Sequence, residues 1–467
     1  MMRSLLLACT ALATIGAAPA PQAARVRGWQ TSADGAQRLA PVVASARPAA
    51  NAVSITIDPN RRYQTMVGFG AAITDASAIL IQGMKPVPRA SLLRDLFGTG
   101  NGALGLGFVR LTIGASDFSP TQYSFDDMPA GQRDPGLAHF SIAPNRRTVL
   151  PTIKAALRIN PQLVVMASPW SPPGWMKTSD SMIGGRLRPE AYAPYARYFV
   201  RYLRAYAAQG VGIRYVTVQN EPGFSPSDYP GMIWPAVERA RFVGHDLGPA
   251  LDRARLRTRV LEWDHNWDLP EQPETTLADS QAARYTVGVA WHCYAGDVSA
   301  QDRLHRAFPD KQSFFTECSG GGWRPGWKVG FADVMHNLMI GATRNWARGV
   351  LLWNLALDPT AGPHKGGCGN CRGVVTIDPA TGQVTRELEY YALGHLSRFV
   401  RPGAVRIDSS GTPDVETVAF RNPDGGVVLL AYNRGHEAIA LATGMRNRPV
   451  GYTLPAGAAI TVTWAER

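Results

Sequence analysis

Short apolar runs that end in polar or aromatic residues recur along this chain, and stretches with helical periodicity separate them. The seven runs are Gly107–Thr112, Leu163–Ala167, Tyr215–Val218, Arg259–Leu261, Thr286–Ala290, Ser313–Phe315 and Gly349–Leu352. Between two of them, Pro189–Gln209 places aromatic residues at three- and four-residue steps, as on one face of a helix. Strands that alternate with helices form parallel βαβ units, so the pattern predicts an α/β fold with a parallel sheet.

A (β/α)₈ TIM barrel explains this alternation better than a doubly wound sheet. A doubly wound sheet has a Gly-rich phosphate-binding turn after its first strand, whereas Gly102–Gly107 precedes a strand and lacks the GxGxxG spacing. Barrel units average about 31 residues if about 250 residues are spread over eight of them. Arg110 and Trp353 are 353 − 110 = 243 residues apart, close to seven units. We therefore expect Arg110 on strand 1, Trp353 after strand 8, and a barrel over residues 66–386.

The chain has a different character from about Glu387 onward. Its short alternating apolar runs are Val415–Arg421, Val427–Tyr432, Ala438–Ala442 and Ala459–Trp464. Turn sequences rich in Gly, Asn and Pro separate these runs, as in an antiparallel β module. Val53–Ile57 is similar and precedes the barrel, so we expect it to pair with this module. Residues 52–65 and 387–467 then form one accessory domain.

The first twenty residues have the pattern of a secretory signal peptide. One early Arg precedes an apolar run from Leu5 to Ile15, and Ala18-Pro19-Ala20 resembles a cleavage site. A lipoprotein box ending in Cys9 is an alternative, with a very short apolar run before the cysteine. Residues 21–51 are rich in Ala, Pro and Arg without a period, which predicts a linker or disordered arm. No other apolar stretch approaches the ~20 residues of a membrane span, so we expect a secreted or periplasmic protein without a transmembrane helix.

Composition and charge argue against a disordered chain and against a nucleic-acid partner. A chain of 467 residues with 45% hydrophobic and 18% charged residues does not belong to the disordered class. Its 48 Lys and Arg against 36 Asp and Glu give a net charge of +12, but the basic residues are scattered along the sequence. Binding to nucleic acid requires a basic stripe or patch. We therefore expect no nucleic-acid partner.

Cys368 and Cys371 lie three residues apart in a Gly-rich loop. In an exported protein a short local disulfide is the leading interpretation of this spacing. Zinc would need a second ligand pair at suitable spacing, and none is evident. A thioredoxin-like redox motif would open a helix, whereas this pair follows a long apolar strand. We expect a structural disulfide between Cys368 and Cys371, and no metal.

Two strands end in a glutamate. Tyr215–Val218 leads into Asn220 and Glu221, and Ser313–Phe315 leads into Glu317. The interval of 317 − 221 = 96 residues corresponds to three barrel units, hence strands 4 and 7. Because the carboxyl ends of barrel strands build the active face, both side chains are expected in one cleft.

Two carboxylates that face each other across a cleft suit glycosidic cleavage. One gives its proton to the leaving oxygen, and the other attacks or stabilises the anomeric carbon. A separation of about 5–5.5 Å is typical of enzymes that retain the anomeric configuration, and about 6.5–9.5 Å of those that invert it. Spacing along the sequence leaves both outcomes open.

The segments around these residues resemble glycoside hydrolase family 30, the group that contains glucosylceramidases and β-1,6-glucanases. The similarity extends from about Tyr63 to Trp464. The matching segments are Gly68–Asp75, Arg110-Leu111 with Ser116–Ser119, Ala167–Lys177, Asn220–Pro222, His292–Tyr294, Thr316–Cys318 and Trp353–Leu357. The resemblance implies a TIM barrel whose accessory module is an antiparallel β-sandwich, made from the C-terminal strands plus the strand before the barrel.

The same resemblance implies a retaining mechanism with Glu221 as acid/base and Glu317 as nucleophile. It also implies that the pocket for the cleaved sugar is lined by Asp117, Trp170, Asn220, Tyr294 and Trp353. Asn220 can bond the sugar 2-hydroxyl, and Asp117 can accept from a pair of hydroxyls. The two tryptophans offer apolar faces to a sugar ring, and Tyr294 can donate to the nucleophile.

Other residues near these motifs have weaker patterns. Arg110 is a candidate partner for Glu317 or an ordinary core ion pair. His292 shares a strand face with Tyr294, and a pocket role and a structural role are equally supported. Cys293 and Cys318 alternate to the opposite faces, which favours packed thiols. Asp264, His265 and Asn266 follow strand 5 and are candidates for substrate contact, and Trp323 and Trp327 for a platform under the leaving group.

The sequence thus predicts an exported retaining β-glycoside hydrolase that acts on a β-linked glucoside or glucan without a cofactor. Glucosylceramide, a short oligosaccharide and a β-1,6-glucan all remain open as substrates, as do xylosides, fucosides and galactosides. One alternative is a carbohydrate-binding protein on the same scaffold that has lost catalysis. A metal-dependent deacetylase or lyase is a weaker alternative.

Overall fold

The computed structural model describes residues 26–100, 102–445 and 448–465. The expected signal peptide at residues 1–20, Cys9 and the first residues of the expected arm lie outside the described residues. Within these ranges no helix combines the length and apolar character that a membrane crossing needs.

Eight parallel strands close into a barrel. In chain order, barrel strands 1 to 8 are Gly68–Ile73, Phe108–Thr112, Val164–Ser168, Tyr215–Thr217, Arg259–Asn266, Thr286–His292, Gln312–Glu317 and Ala347–Leu352. Apart from three short 3₁₀ turns, the helices between and after them are Asp75–Gly83, Pro86–Phe97, Val149–Ile159, Tyr192–Ala208, Ala236–Arg241, Phe242–Leu247, Gly248–Arg253, Glu271–Ala278, Ser280–Tyr285, Ala300–Ala307, Gly326–Asp333, Val334–Ala342 and Leu388–Ser397. This confirms the (β/α)₈ prediction, and each of the seven predicted runs overlaps a barrel strand.

Barrel strand 1 is the strand that the apolar pattern missed, so the numbering predicted for Arg110 was wrong by one. Arg110 lies on strand 2, and six barrel units rather than seven separate it from Trp353. Strand 1 has the sequence GFGAAI because its neighbour is very close: a Cβ added at Gly70 would be 1.8 Å from the carbonyl oxygen of Phe108. Glycine and alanine at this contact remove the branched apolar residues that mark a strand in a sequence.

The accessory domain consists of two sheets that share an apolar core. The larger sheet has seven strands in the order Ala40–Val42, Val26–Thr31, Ala459–Trp464, Val427–Asn433, Val415–Arg421, Val405–Ser409 and Ile57–Thr65. The smaller has the order Arg448–Leu454, Ile439–Met445 and Val53–Ile55. Residues 53–57 therefore do contribute to this module, as expected.

The expectation of a linker or disordered arm at residues 21–51 was wrong for its described part. Val26–Thr31 pairs antiparallel with Ala459–Trp464 along its whole length, and Ala40–Val42 pairs with Val26–Thr31. The partner strand lies at the other end of the chain, so the composition of residues 21–51 does not indicate that they form a strand.

The barrel also continues beyond the expected boundary at residue 386. Helix Leu388–Ser397 follows strand 8 and contacts barrel strand 1. Its buried His395 joins three elements, with Nδ1 2.8 Å from Thr461 Oγ1 and Nε2 2.9 Å from Thr31 Oγ1. This helix therefore packs on the outside of the barrel and carries a contact with the larger sheet.

Candidate active site

Glu221 and Glu317 meet at the carboxyl end of the barrel. Glu317 is the last residue of strand 7, and Glu221 follows strand 4 with a left-handed φ of 48°. The Glu221 amide donates to the carbonyl oxygen of Asp264 at 3.0 Å, which fixes this unusual conformation. A carboxylate oxygen of each glutamate lies within 4.8 Å of the other. The two residues thus flank a common space, at the spacing of a retaining rather than an inverting pair.

Arg110 connects the nucleophile candidate to the rest of the site. Its guanidinium donates to Glu317, to Asp264 Oδ2 at 2.7 Å and to Asn220 Oδ1 at 2.8 Å. The arginine side chain has no solvent exposure. The functional interpretation of Arg110 is therefore the one that the geometry supports, because one cation orients Glu317 and Asn220, the neighbour of Glu221.

Asp264 is the central acceptor, a role that the sequence did not reveal. Its carboxylate accepts hydrogen bonds of 2.7–3.1 Å from Arg110, Ser168, Thr217, His292 and Thr316. Asp264 lies in a bulge: the strand 6 partners Ala290 and Trp291 pair with Trp263 and His265, and Asp264 is skipped with φ 56°. The bulge turns its fully buried carboxylate inward, away from direct contact with a substrate. Burial raises the pKa of Asp264, but the charge of Arg110 and the bond from His292 bring it below its ordinary value.

His292 lies between Glu221 and Asp264 and is fully buried. Its Nδ1 is 3.1 Å from Glu221 Oε1, and its Nε2 is 3.1 Å from Asp264 Oδ1. Burial lowers the pKa of this imidazole, but the surrounding carboxylates, Glu317 first among them, raise it to about 9. His292 thus contacts both the acid/base candidate Glu221 and the buried Asp264.

The two glutamates have different electrostatic environments. Burial raises the pKa of Glu317 and the charge of Glu221 adds to the rise, while His292 and Arg110 oppose it. Burial also raises the pKa of Glu221, but the hydrogen bond and charge of His292 more than offset this, so the net shift is downward. In the free site the proton therefore rests on His292, one hydrogen bond away from Glu221. Arg110 and Tyr294 both donate to Glu317 and stabilise its carboxylate.

Trp170 and Trp353 form a stacked pair rather than two separate platforms. Their ring centroids are 5.0 Å apart with an interplanar angle of 22°, and both side chains are buried. The guanidinium of Arg110 lies 4.8 Å from the Trp170 ring and 5.5 Å from the Trp353 ring. Each tryptophan thus has one face covered by the other, and the pair supports Arg110 as well as the pocket.

Asp117 has a carboxylate oxygen that accepts no hydrogen bond within the described part of the chain. Its Oδ1 is buried and has no hydrogen-bond partner among the described residues. Burial, with added repulsion from Glu317 and Glu221, raises the pKa of Asp117 well above its ordinary value. A buried carboxyl oxygen without a partner is costly unless a ligand supplies one, as a sugar hydroxyl would.

The loop after strand 8 covers Asp117. The amide of Lys365 donates to the Asp117 carbonyl at 3.0 Å, and Gly367 donates to Asp228 Oδ2 at 3.0 Å, in the loop after strand 4. The expected Cys368–Cys371 disulfide is present in this loop, and Cys371 packs in the cluster that contains Trp170 and Trp353.

Cys293 and Cys318 form a second disulfide, so the expectation of two packed thiols was wrong. The expectation assumed that side chains alternate without interruption along strands 6 and 7. Instead the ladder shifts, so that Trp291 pairs with Phe315 but His292 pairs with Glu317. This shift brings the next residue of each strand into bonding distance.

Tyr294 and Trp323 are two exposed aromatic residues near the site. Tyr294 is 44% exposed, and its hydroxyl donates to Glu317 Oε1 at 3.0 Å, as expected. Trp323 is 46% exposed on the loop after strand 7. Trp327 packs instead under Arg38, whose guanidinium is 4.6 Å from the ring, so it is no platform for a leaving group.

Glu221, His292 and Glu317 are also the described residues whose ligand atoms converge closely enough to hold a cation. His292, however, hydrogen-bonds both Glu221 and Asp264, and the charge of Arg110 already balances Glu317. The arrangement is that of an acid/base and nucleophile pair, which needs no metal to cleave a glycoside.

Known proteins share this architecture from end to end. The chain is 35% identical over 483 residues to an endo-1,6-β-D-glucanase of Neurospora crassa, covering 95% of this chain and 97% of that protein. It is 32% identical to the lysosomal acid glucosylceramidase of Mus musculus, covering 83% and 78%. The solved structure of the endo-β1,6-glucanase BT3312 superposes with a TM-score of 0.88 at 32% identity, covering 95% and 99%.

Two family descriptions match consecutive parts of the chain. The "Glycosyl hydrolase family 30 TIM-barrel domain" matches residues 66–400, and the "Glycosyl hydrolase family 30 beta sandwich domain" matches residues 403–462. Together with the paired carboxylates at the barrel's carboxyl end, these matches show that the chain is a β-glycoside hydrolase of glycoside hydrolase family 30.

Proposed function

We propose that this family-30 hydrolase is an endo-acting β-1,6-glucanase that works by double displacement. The observation that carries the mechanism is the approach of the Glu221 and Glu317 carboxylates to within 4.8 Å. The choice of substrate is supported by the endo-β-1,6-glucanases, which match this chain over 97% and 99% of their own length. The glucosylceramidase match covers only 78% of that protein.

In the first step Glu317 attacks the anomeric carbon of a glucosyl unit. A carboxylate oxygen forms the bond to carbon, and the bond to the leaving 6-oxygen breaks. Arg110 and Tyr294 hold this carboxylate in place through hydrogen bonds to its two oxygens. Asn220, oriented by Arg110, is placed next to the acid, where it can bond the sugar 2-hydroxyl.

Glu221 delivers a proton to the leaving oxygen. In the free site that proton rests on His292, 3.1 Å from Glu221 Oε1. It passes to Glu221 as the leaving oxygen approaches, because the developing negative charge there attracts it. In the second step Glu221 takes a proton from a water molecule whose oxygen attacks the anomeric carbon, and the bond between that carbon and Glu317 breaks. The proton on Glu221 then returns to His292, which restores the free site. Two inversions at the same carbon give a product with the starting β configuration.

The two disulfides support export of this protein from the cytosol. Both disulfides are of a kind that persists outside a reducing cytosol.

The experiment is a product analysis on three substrates: a linear β-1,6-glucan, glucosylceramide and an aryl β-glucoside. The proposal predicts that the glucan is cut into a ladder of oligosaccharides, and that proton NMR shows the β-anomer of the new reducing ends before mutarotation. Glu317→Gln, which keeps the side-chain shape, is the matched control and should yield no products. Release of glucose alone from chain ends would show exo action, and turnover of glucosylceramide alone would show a different substrate. Either result would contradict the assignment as an endo-β-1,6-glucanase. Absence of any turnover with retained glucan binding would favour the carbohydrate-binding alternative.

A further inference from the structure

The Cys293–Cys318 disulfide joins the two segments that carry the reacting groups. Cys318 directly follows Glu317, and Cys293 lies between His292 and Tyr294. The Cα atoms of the two cysteines are 5.4 Å apart. One covalent bond thus connects the backbone of the nucleophile to the backbone of two residues that touch the catalytic carboxylates.

Backbone pairing between strands 6 and 7 ends immediately before this bond. The last pair is His292 with Glu317, and the register has just shifted by one residue, so Thr316 is skipped in the ladder with strand 6. An irregular ladder holds the residues beyond it less firmly than a regular one. The disulfide directly after the last pair maintains the shifted register where the ladder stops.

Beyond the last ladder pair, the segments that the disulfide joins form hydrogen bonds with different strands. After Cys293, the Tyr294 amide donates to Asn266 Oδ1 at 3.0 Å, and the Trp267 amide donates to the Ala295 carbonyl at 3.0 Å. Both bonds lead to the end of strand 5. Cys318 instead accepts from the Trp353 amide at 2.8 Å, which leads to strand 8. Opening the disulfide would therefore leave both segments attached to the barrel but without a covalent link to each other beyond the last ladder pair.

We propose that the Cys293–Cys318 disulfide is a positioning element for catalysis. It holds the hydroxyl of the half-exposed Tyr294 at 3.0 Å from Glu317 Oε1, and the enzyme reaches full turnover only when the bond is formed. The inference rests on the role of Glu317 as nucleophile in the proposed function. A hydrogen bond to a charged group is strong enough that its loss slows a step by about tenfold or more.

The first test opens this bond alone in the folded enzyme. A Cys368→Ser/Cys371→Ser background leaves Cys293–Cys318 as the disulfide of the described chain, and its oxidised activity is the reference. Dithiothreitol gives two electrons and two protons to the disulfide, leaving two thiols, and becomes a cyclic disulfide itself. Mass spectrometry after alkylation confirms the opening. We expect kcat on an aryl β-glucoside to fall about tenfold or more, KM to change less than about threefold, and reoxidation to restore kcat. An unchanged kcat in the fully opened protein would overturn the proposal.

The second test distinguishes positioning of Tyr294 from general loosening. Cys293→Ser/Cys318→Ser and Tyr294→Phe are combined in a double-mutant cycle, with circular dichroism and thermal unfolding as a check on the fold. If the disulfide acts through Tyr294, the combined variant is no slower than the slower of its parents. If the losses in activation free energy from the two changes add, the disulfide acts independently of Tyr294. That result would contradict the proposal.

A third readout does not depend on turnover, so it separates this inference from the proposed function. In a crystal structure of Cys293→Ser/Cys318→Ser we expect Tyr294 to have moved beyond hydrogen-bonding distance of Glu317, with strands 6 and 7 intact. Retention of the 3.0 Å contact would overturn the inference, even if the oxidised enzyme cleaved β-1,6-glucan as proposed. Conversely, a displaced Tyr294 in this variant, together with an oxidised enzyme that cleaves aryl β-glucoside but not β-1,6-glucan, would support positioning and reject the proposed glucanase function.

Discussion

Arg110 and Glu317 form an ion pair in which the arginine is wholly closed to solvent and the glutamate side chain is 6% exposed. The same guanidinium also binds Asp264 and Asn220. Such a pair is not retained for stability, because an apolar pair of similar size often stabilises a fold as well. Its value lies in orientation: one planar cation fixes Glu317, the proposed nucleophile, and Asn220, the neighbour of the proposed acid, relative to each other.

Arg110→Lys should therefore reduce catalysis much more than stability. Lysine keeps the positive charge but cannot reproduce the fork of parallel hydrogen bonds. We expect kcat on an aryl β-glucoside to fall by about two to three orders of magnitude, with a small change in the urea midpoint. Arg110→Met is the comparison, because it removes the guanidinium charge from the buried Asp264 and Glu317 carboxylates and should cost about 3–5 kcal/mol of unfolding free energy. A lysine variant with wild-type kcat would show that orientation by Arg110 is unimportant.

His292 should control the alkaline limb of the pH profile. Its pKa is raised to about 9, so its proton is held below that pH and lost above it. The proposed proton transfer to Glu221 thus predicts that kcat/KM for a poor leaving group declines above about pH 9. In His292→Asn no imidazole holds the proton beside Glu221. The decline of kcat/KM should therefore begin at least one pH unit lower.

An activated aryl leaving group provides the control for this prediction. Its departure needs little protonation, so its alkaline limb should move much less in His292→Asn. Equal movement for both substrates would mean that His292 acts on Glu317 or on the fold, not through the acid.

Gly367→Ala should damage substrate binding through Asp117. Gly367 has φ 69°, and an added Cβ would be 2.6 Å from the Asp117 Cβ. The loop or Asp117 must shift, so we expect kcat/KM to fall about tenfold, mainly through KM. Gly369→Ala in the same loop is the matched control, because nothing lies within 4 Å of its added Cβ. Similar effects of the two substitutions would argue against Asp117 as the contact.

His395 should make the protein sensitive to acid. Burial lowers its pKa to about 3, against about 6.5 in an unfolded chain. Above pH 6.5 it is neutral in both states, and between 6.5 and 3 the unfolded state alone takes up the proton. Folding stability should fall over this window by roughly 1.4 kcal/mol per pH unit from this group.

His395→Gln separates this effect from that of the other titrating groups. Glutamine carries no charge at any pH, so the variant should be less stable at pH 7.5 but lose less of its unfolding free energy between pH 6.5 and 4.5. Urea unfolding at each pH measures the difference in slope. Parallel slopes for the two proteins would show that His395 is protonated in the folded state.

Residues that follow local rules were predictable from the sequence, and those set by long-range contacts were not. Barrel strands 2 to 8 have apolar runs because their side chains pack against the core, and Glu221 and Glu317 were placed correctly on strands 4 and 7. Strand 1 was missed because its close approach to Phe108 requires glycine and alanine. Strand Val26–Thr31 was missed because its partner is Ala459–Trp464, at the other end of the chain.

The errors within the site have one physical origin. Asp264 and Thr316 lie at register shifts, which interrupt the alternation of side chains along a strand. Without these shifts Asp264 would not reach Arg110, and Cys293 would not meet Cys318. The positive φ angles of Asp264 and Glu221 are similar local departures from regular geometry. Such departures concentrate at functional sites, where sequence periodicity is least informative.

The most direct test of the account is the chemistry of Glu317→Ala in the presence of azide. Without its nucleophile the enzyme should be inactive on an aryl β-glucoside with a good leaving group. Azide can enter the space left by the carboxylate and attack the same face of the anomeric carbon, so we predict restored turnover and an α-glucosyl azide product. A β-glucosyl azide, or no rescue in Glu317→Ala together with rescue in Glu221→Ala to an α-azide, would contradict the assignment of Glu317 as the nucleophile.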